Sequence, residues 1–249
     1  MTKIDTKQYV DEFYKRIAED NKVSDEEKQR AVAYSLGYTD EDIELGGDLG
    51  LGCGNPIQNA KLKDGEWLLD LGCGKGVDVF KAAREMHGTG KAVGIDRLPE
   101  MIERANFIRD KRGFDNADFL VSDIDDINLP DNTFDVVISN CVINLLEDKE
   151  KVYREIFRVL KPGGRVSISD IIQIKALPDD ILADPIFHAT WVGGSITSEA
   201  LNKILEKVGF MPYTIVEEDL TEEYLNKWGH EGLDEFIKRG KILAIKPFN

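Results

Sequence analysis

The strongest constraint on this chain's fold is an alternation between residues 66 and 170, in which short apolar runs are separated by longer stretches of helical periodicity. Runs of this kind are expected at Trp67–Leu71, Lys91–Ile95, Ala117–Val121, Phe134–Ser139 and Arg165–Ser169. Between them, apolar residues recur at three- and four-residue spacing over Val77–Met86, Pro99–Arg112 and Lys149–Leu160. Parallel strands joined by crossover helices produce this pattern. KPGGR at 161–165 is expected to end the third helix and turn into the fifth strand, with Pro stopping the helix and Gly permitting the turn.

Flanking segments complete the expectation. Two helices are expected before Glu66, leading into the loop GGDLGLGCGNP, whose five glycines disfavour regular structure. That loop is either static or, through its glycines, a lid. After Asp170 the pattern loosens, then resumes with a helix at Ser198–Val208 and strand-like runs at Met211–Val216 and Ile242–Pro247. The predicted fold is α/β, Rossmann-like and doubly wound. It has a mostly parallel seven-stranded sheet, N-terminal helices and an insertion after the fifth strand. A chain of 249 residues with 42% hydrophobic composition can bury one such core. It is read as a single domain over 1–249, with N-terminal helices and the glycine-rich loop at 1–65, a cofactor-binding core at 66–170 and a substrate side at 171–249.

Asp70-Leu-Gly72-Cys73-Gly74-Lys-Gly76 stands directly after a strand and before a helix. Glycines there let the backbone turn sharply and approach a ligand, while the helix start offers unpaired N–H groups. A dinucleotide fingerprint spaces its last two glycines three apart, whereas Gly74 and Gly76 are two apart, which favours S-adenosylmethionine (SAM) over NAD. A tight structural turn is the alternative. Asp96 ends the next apolar run about 20 residues on, where a ribose-binding acid belongs; it also suits a helix N-cap. Asp123 and Ile124 follow the third strand, where they could meet an adenine, or could simply form an acidic turn. Ser139 and Asn140 end the fourth strand. Ligands in open parallel sheets sit beyond the strands' carboxyl ends, so these positions are expected to converge on one crevice.

The formal net charge of −15 argues against nucleic acid and anionic membranes as partners. The opening stretch carries charges every few residues and no long apolar run, so a soluble, cytoplasmic chain is expected. Cys53, Cys73 and Cys141 form no CxxC pair and no even-numbered framework, and reduced thiols are expected of all three. No metal site is read.

With DLGCGKG, the acid after the second strand and LKPGG at 160–164, the sequence resembles class I SAM-dependent methyltransferases over roughly residues 60–220. LGLGCGNP at 49–56, DRLPEMIERA at 96–105 and ISNCVINL make it similar to the arsenite methyltransferase branch. The resemblance implies a SAM site lined by Asp70, Gly72, Cys73, Gly74, Gly76, Asp96, Arg97, Asp123, Ile124, Ser139 and Asn140. It also implies acceptor-binding thiols at Cys53 and Cys141, because soft thiolates bind trivalent arsenic and leave its lone pair free to attack a methyl group. The family's further cysteine, before a glycine pair in the insertion, is Trp191 here. Two thiols suit a monomethylated trivalent arsenical, while the indole equally suits an organic small-molecule acceptor. An oxygen or carbon acceptor would call for a base such as His188 or His230, and neither is given that role. His87 reads as a helix C-terminal charge. A nicotinamide-dependent oxidoreductase and a non-catalytic SAM-binding paralogue are the readings from other classes.

Overall fold

The computed structural model describes residues 10, 12–16, 26–45, 52–183, 187, 191–228 and 232–248. Its centre is a seven-stranded sheet of order β3-β2-β1-β4-β5-β7-β6. The strands are β1 Trp67–Leu71, β2 Lys91–Asp96, β3 Ala117–Val121, β4 Phe134–Asn140, β5 Leu160–Gln173, β6 Tyr213–Glu218 and β7 Ile237–Ile245. The first five are parallel, and β7 runs antiparallel between β5 and β6.

Successive strand residues point to opposite faces, and both faces of β1 are covered. Leu68 joins one buried cluster with Phe80, Ala83, Ile102 and Ala105, which come from helices α4 (Val77–Glu85) and α5 (Pro99–Arg112). Leu69 and Leu71 join another with Val152, Ile156, Leu201 and Leu205, from α6 (Lys149–Val159) and α8 (Ser198–Val208). This is why the central strands read as continuous apolar runs rather than alternating ones. Emptying a fully buried position such as Ile156 to Ala is expected to cost about 2–5 kcal/mol.

Helix ends follow local chemistry. The side chains of Asp148 and Thr197 accept the N–H groups of Lys151 and Ala200 at 2.9 and 3.2 Å, capping α6 and α8. Gly113 and Gly209 close α5 and α8 in the left-handed conformation.

A third cluster caps the sheet at its carboxyl end. It joins Val32 and Leu36 with Tyr38, Cys53, Cys141, Trp191 and Tyr224. Its parts come from α1 (Glu26–Ser35) and the segments after it, from the β4 end, from the insertion with its short helix α7 (Asp179–Ala183), and from α9 (Glu222–Trp228), which carries Tyr224. Besides α1, the N-terminal region forms a helical segment at 12–16 and two short helices, α2 (Asp40–Glu44) and α3 (Pro56–Ala60).

Several expectations need correction. The fifth strand begins at Leu160 rather than Arg165, and KPGG is extended rather than a separate turn, with a register shift against β4 between Phe134 and Val136. Lys246 pairs with this stretch through its backbone, which holds it in the sheet. The last two strands lie at Tyr213–Glu218 and Ile237–Ile245, displaced from the expected runs because the pairing of β7 with β5, and of β6 with β7, sets their limits. α3 follows directly on the expected glycine-rich loop, taking in only its last residue, Pro56, and is started by the Asn55 side chain accepting the Gln58 N–H at 3.3 Å. Residues 46–51 of that loop, with the lid it was read to form, lie outside the described residues, as do His188 and His230. His87 sits beyond the helix end, 3.1 Å from the Asp64 carboxylate. Among the described residues, no helix is long and apolar enough to cross a membrane.

Candidate active site

Strand order reverses between β1 and β4, and a cavity of about 740 Å³ opens at the carboxyl ends of these strands. This is where open α/β sheets place ligands, and the volume lies within the roughly 300–1,000 Å³ common for small-molecule sites. The loops after β1 and β4 touch there: a Cβ on Gly72 would come 2.5 Å from the Val142 side chain. Gly74, at φ +52, faces open space.

Ten of the expected positions meet around this cavity or its rim. Asp70, Gly72, Cys73, Gly74, Asp96, Arg97, Asp123, Ile124, Asn140 and Cys141 all line it. The Asp96 carboxylate accepts the Gly74 N–H and the Leu98 N–H, each at 3.0 Å. It therefore braces the glycine loop and the start of α5 together. An ionised carboxylate has about four acceptor sites, so roughly two remain for a ligand. Arg97 reaches toward the half-exposed Asp123, 3.7 Å away, and Ile124 is buried.

Three expected residues take other places. Ser139 is fully buried and its hydroxyl donates to the Leu71 carbonyl at 3.2 Å, bracing β4 on β1 rather than lining the cavity. Gly76 caps α4 and packs under Phe119, where a Cβ would come within 2.6 Å of the ring. Cys53 is buried just behind the wall, to which its neighbour Gly52 contributes.

The expectation of three reduced thiols is corrected in part. Cys53 and Cys141, 88 residues apart, are joined as a disulfide with a Cα–Cα distance of 6.0 Å, and Cys73 is the free, buried thiol. Cysteine spacing gave no hint of this pair because its partners lie on a loop and a strand end that only the fold brings together. Cys141 sits at φ +58, with its N–H donated to the Ser169 carbonyl at 2.8 Å.

Sequence reasoning missed Tyr14, Tyr38, Asp78 and Val142, all of which line the cavity. Tyr38 donates its hydroxyl to Asp78 at 2.8 Å. Tyr14, from the 12–16 helix, shares the cavity wall with Trp191. Trp191 itself is buried at φ +70, an uncommon conformation for a bulky residue. The 191–195 segment is pressed onto the turn after β4: a Cβ on Gly194 would stand 1.9 Å from the Asn144 carbonyl oxygen.

Electrostatically the cavity is acidic. Burial raises the Asp70 carboxyl well above the usual range, and Asp78 and Asp96 add to this by charge repulsion. Burial raises Asp78 to about 6, against hydrogen bonds from Tyr38 and Asn140 that favour its charged form. Burial also raises Asp96, and it raises the Cys73 thiol. Buried acids crowded in this way favour a positively charged ligand, which relieves their repulsion. With the open glycine cradle and the remaining acceptor sites of Asp96, the donor set fits SAM, which carries a sulfonium and an ammonium.

A sequence model of the methyltransferase-domain family matches residues 62–209. With the strand-end cavity it defines, this makes the chain a class I SAM-dependent methyltransferase. The chain is 38% identical over 226 residues to the arsenite methyltransferase of Halobacterium salinarum, covering 89% of this chain and 58% of that protein. It superposes with a TM-score of 0.63 and 30% identity on an arsenic(III) S-adenosylmethionine methyltransferase from Chlamydomonas reinhardtii, covering 88% of this chain and 73% of that one. Within the class, it belongs to the arsenite methyltransferase branch. A Haemonchus contortus phosphoethanolamine N-methyltransferase in complex with SAM shares the fold, with a TM-score of 0.67 at 19% identity over 99% of this chain and 61% of that one. The chain spans 58% of the length of its Halobacterium relative.

Proposed function

We propose that this chain transfers a methyl group from SAM to a trivalent arsenical that bears one organic substituent and is held by the thiols of Cys53 and Cys141. The observation that carries this reading is the meeting of these two cysteines at the β4 end, with Trp191 in the same buried cluster. Two thiols and an indole match an acceptor with two exchangeable positions and one apolar group. A dithiol reductant first opens the Cys53–Cys141 bond, giving two electrons and two protons to the pair. The acceptor R–As(OH)2 then condenses with both thiols, forming two As–S bonds and releasing two waters, and keeps its lone pair.

On the donor side, Asp96 takes the ribose hydroxyls with its remaining acceptor sites. Asp123 and Ile124 receive the adenine, the first at its amine and the second over its ring. Asp70 and the backbone of Gly72 and Gly74 hold the amino-acid end. When bound, SAM supplies a methyl group on a positive sulfur, so an As–C bond forms as the S–CH3 bond breaks and the charge passes to arsenic. The chain's own contribution is alignment and exclusion of water, since a soft nucleophile needs no strong base. Single-domain organisation over 1–249 and a cytoplasmic location, where thiol pools keep such pairs reduced, belong to the same reading.

The test is S-adenosylhomocysteine formation under dithiol reduction with arsenite, a monomethylated trivalent arsenical or no acceptor. Turnover that prefers the methylated arsenical and vanishes in Cys141→Ser supports the reading. Tight SAM binding without arsenical-dependent product overturns it. A second reading, an organic acceptor packed on Trp191, is favoured by the Tyr14–Trp191 pair on the cavity wall. It predicts turnover with an organic acceptor that survives Cys141→Ser.

A further inference from the structure

Asn140 ends β4 one residue before Cys141, yet most of its amide is committed to the loop that carries Cys53. Its oxygen accepts the N–H groups of Cys53 and Gly54 at 3.2 and 3.3 Å. Its nitrogen donates to the Gly54 carbonyl at 2.8 Å, to the Tyr38 hydroxyl at 3.1 Å and to the Asp78 carboxylate at 3.4 Å. The loop lies so close that a Cβ on Gly52 would stand 2.6 Å from this amide, and one on Gly54 would stand 2.5 Å from the Ser169 hydroxyl. One side chain is thus covalently next to one cysteine and hydrogen-bonded to the backbone of the other.

We propose that Asn140 is a positioning residue that sets the approach of Cys53 to Cys141 and, through Tyr38 and Asp78, ties this pair to the helix opened by the glycine loop. A neutral amide suits the position because it must accept two backbone N–H groups on one side and donate to a carbonyl and a carboxylate on the other. Aspartate keeps the first set and loses the second, placing a second acid against Asp78. Alanine loses both. The purpose of this arrangement rests on the thiol-site reading above, but its test uses no methyl donor and no acceptor. Failure of arsenical methylation therefore leaves the outcome below untouched.

The experiment measures the dithiol–disulfide equilibrium of Cys53 and Cys141 in the full chain, in a Cys73→Ser background so that only this pair exchanges. Samples equilibrate in dithiothreitol redox buffers, are quenched in acid, alkylated and weighed by mass spectrometry. Reduction moves two electrons and two protons to the pair while dithiothreitol closes to its cyclic disulfide. In Asn140→Ala the equilibrium constant for the protein disulfide is expected to fall about tenfold, a shift of about 30 mV for a two-electron couple. Asn140→Asp is expected to fall as well. Tyr38→Phe keeps the three bonds that Asn140 makes to Cys53 and Gly54 and loses the longer bond from the Tyr38 hydroxyl to the Gly54 carbonyl at 3.3 Å; it is expected to stay within about twofold of the parent, less than a third of that shift. Should Asn140→Ala not fold, the nearly isosteric Asn140→Asp decides alone. Equilibria unchanged in the Asn140 variants overturn the proposal. So does an equal fall in Tyr38→Phe, because the effect would then belong to general packing.

Discussion

The two halves of the cavity are built in different ways. The half that the proposed reading gives to the methyl donor is drawn from one stretch of chain, Asp70 to Ile124, in which each βα turn delivers its residues to the same sheet edge. The half that it gives to the acceptor gathers a loop at 52–54, the β4 end at 140–142 and the insertion at 191–194. The first half is held mainly by backbone and by one carboxylate. The second is held by a side-chain amide, a disulfide and a glycine pressed on a carbonyl. Local architecture therefore makes the donor half robust, whereas the acceptor half depends on long-range contacts that single substitutions can release.

If the halves are separable, Cys141→Ser removes acceptor-dependent S-adenosylhomocysteine formation down to the no-acceptor background, while calorimetric SAM affinity stays near the parent value. Loss of SAM binding in that variant would break the comparison. Asp96→Ala is the converse. It releases two backbone N–H groups and a ligand contact, each charged hydrogen bond being worth about 1.5–3 kcal/mol. A fall in SAM affinity of about ten- to a hundredfold is expected by titration, with Cys53 and Cys141 still pairing on oxidation.

Smaller effects sharpen the boundary between the halves. Gly194→Ala must move the 191–195 segment off Asn144 and is expected to cost about 1–3 kcal/mol in denaturant unfolding. Its effect should fall on acceptor KM more than on SAM affinity. A final effect is electrostatic. Asp170 is buried behind the turn after β4, where it accepts the Asn144 amide at 2.9 Å. Burial raises it to about 7, against backbone hydrogen bonds and Lys149. An acid whose folded pKa lies above its unfolded one binds more protons when folded, so stability falls as pH rises from about 4 toward 7 and then levels off. Asp78 acts in the same direction up to about 6. Chemical denaturation should show the ligand-free chain losing more stability between pH 5 and pH 7.5 than Asp170→Asn loses. The difference is on the order of 1 kcal/mol. Equal slopes would remove Asp170 from this account.

Legibility in the sequence followed the same division. The cavity-lining residues of the glycine loop and the strand ends were readable because glycine spacing, strand endings and the acid about 20 residues downstream are local signals. Ser139 and Gly76 were misplaced for an equally local reason. A strand-end serine and a loop glycine look alike whether they face a ligand or brace the sheet, and only the Leu71 carbonyl and the Phe119 ring decide between the two. Tyr14, Tyr38 and Asp78 carried no motif, since a tyrosine on a helix or between two helices and an acid in a helix's first turn have ordinary uses on any surface.

By itself, the sequence determined the order of strands and helices, the end of the sheet at which the cavity opens and the family to which the chain belongs. Apolar periodicity and turn chemistry act over a few residues and need no partner from far along the chain. Tertiary structure alone decided that Cys53 and Cys141, which the family resemblance already assigned to one site, are joined as a disulfide, that Asn140 faces the loop carrying Cys53 and that Trp191 is buried in the same cluster at a positive φ. Those contacts join segments 50 to 140 residues apart. Their geometry depends on how the insertion and the N-terminal segments pack over the finished sheet, which no short-range pattern encodes.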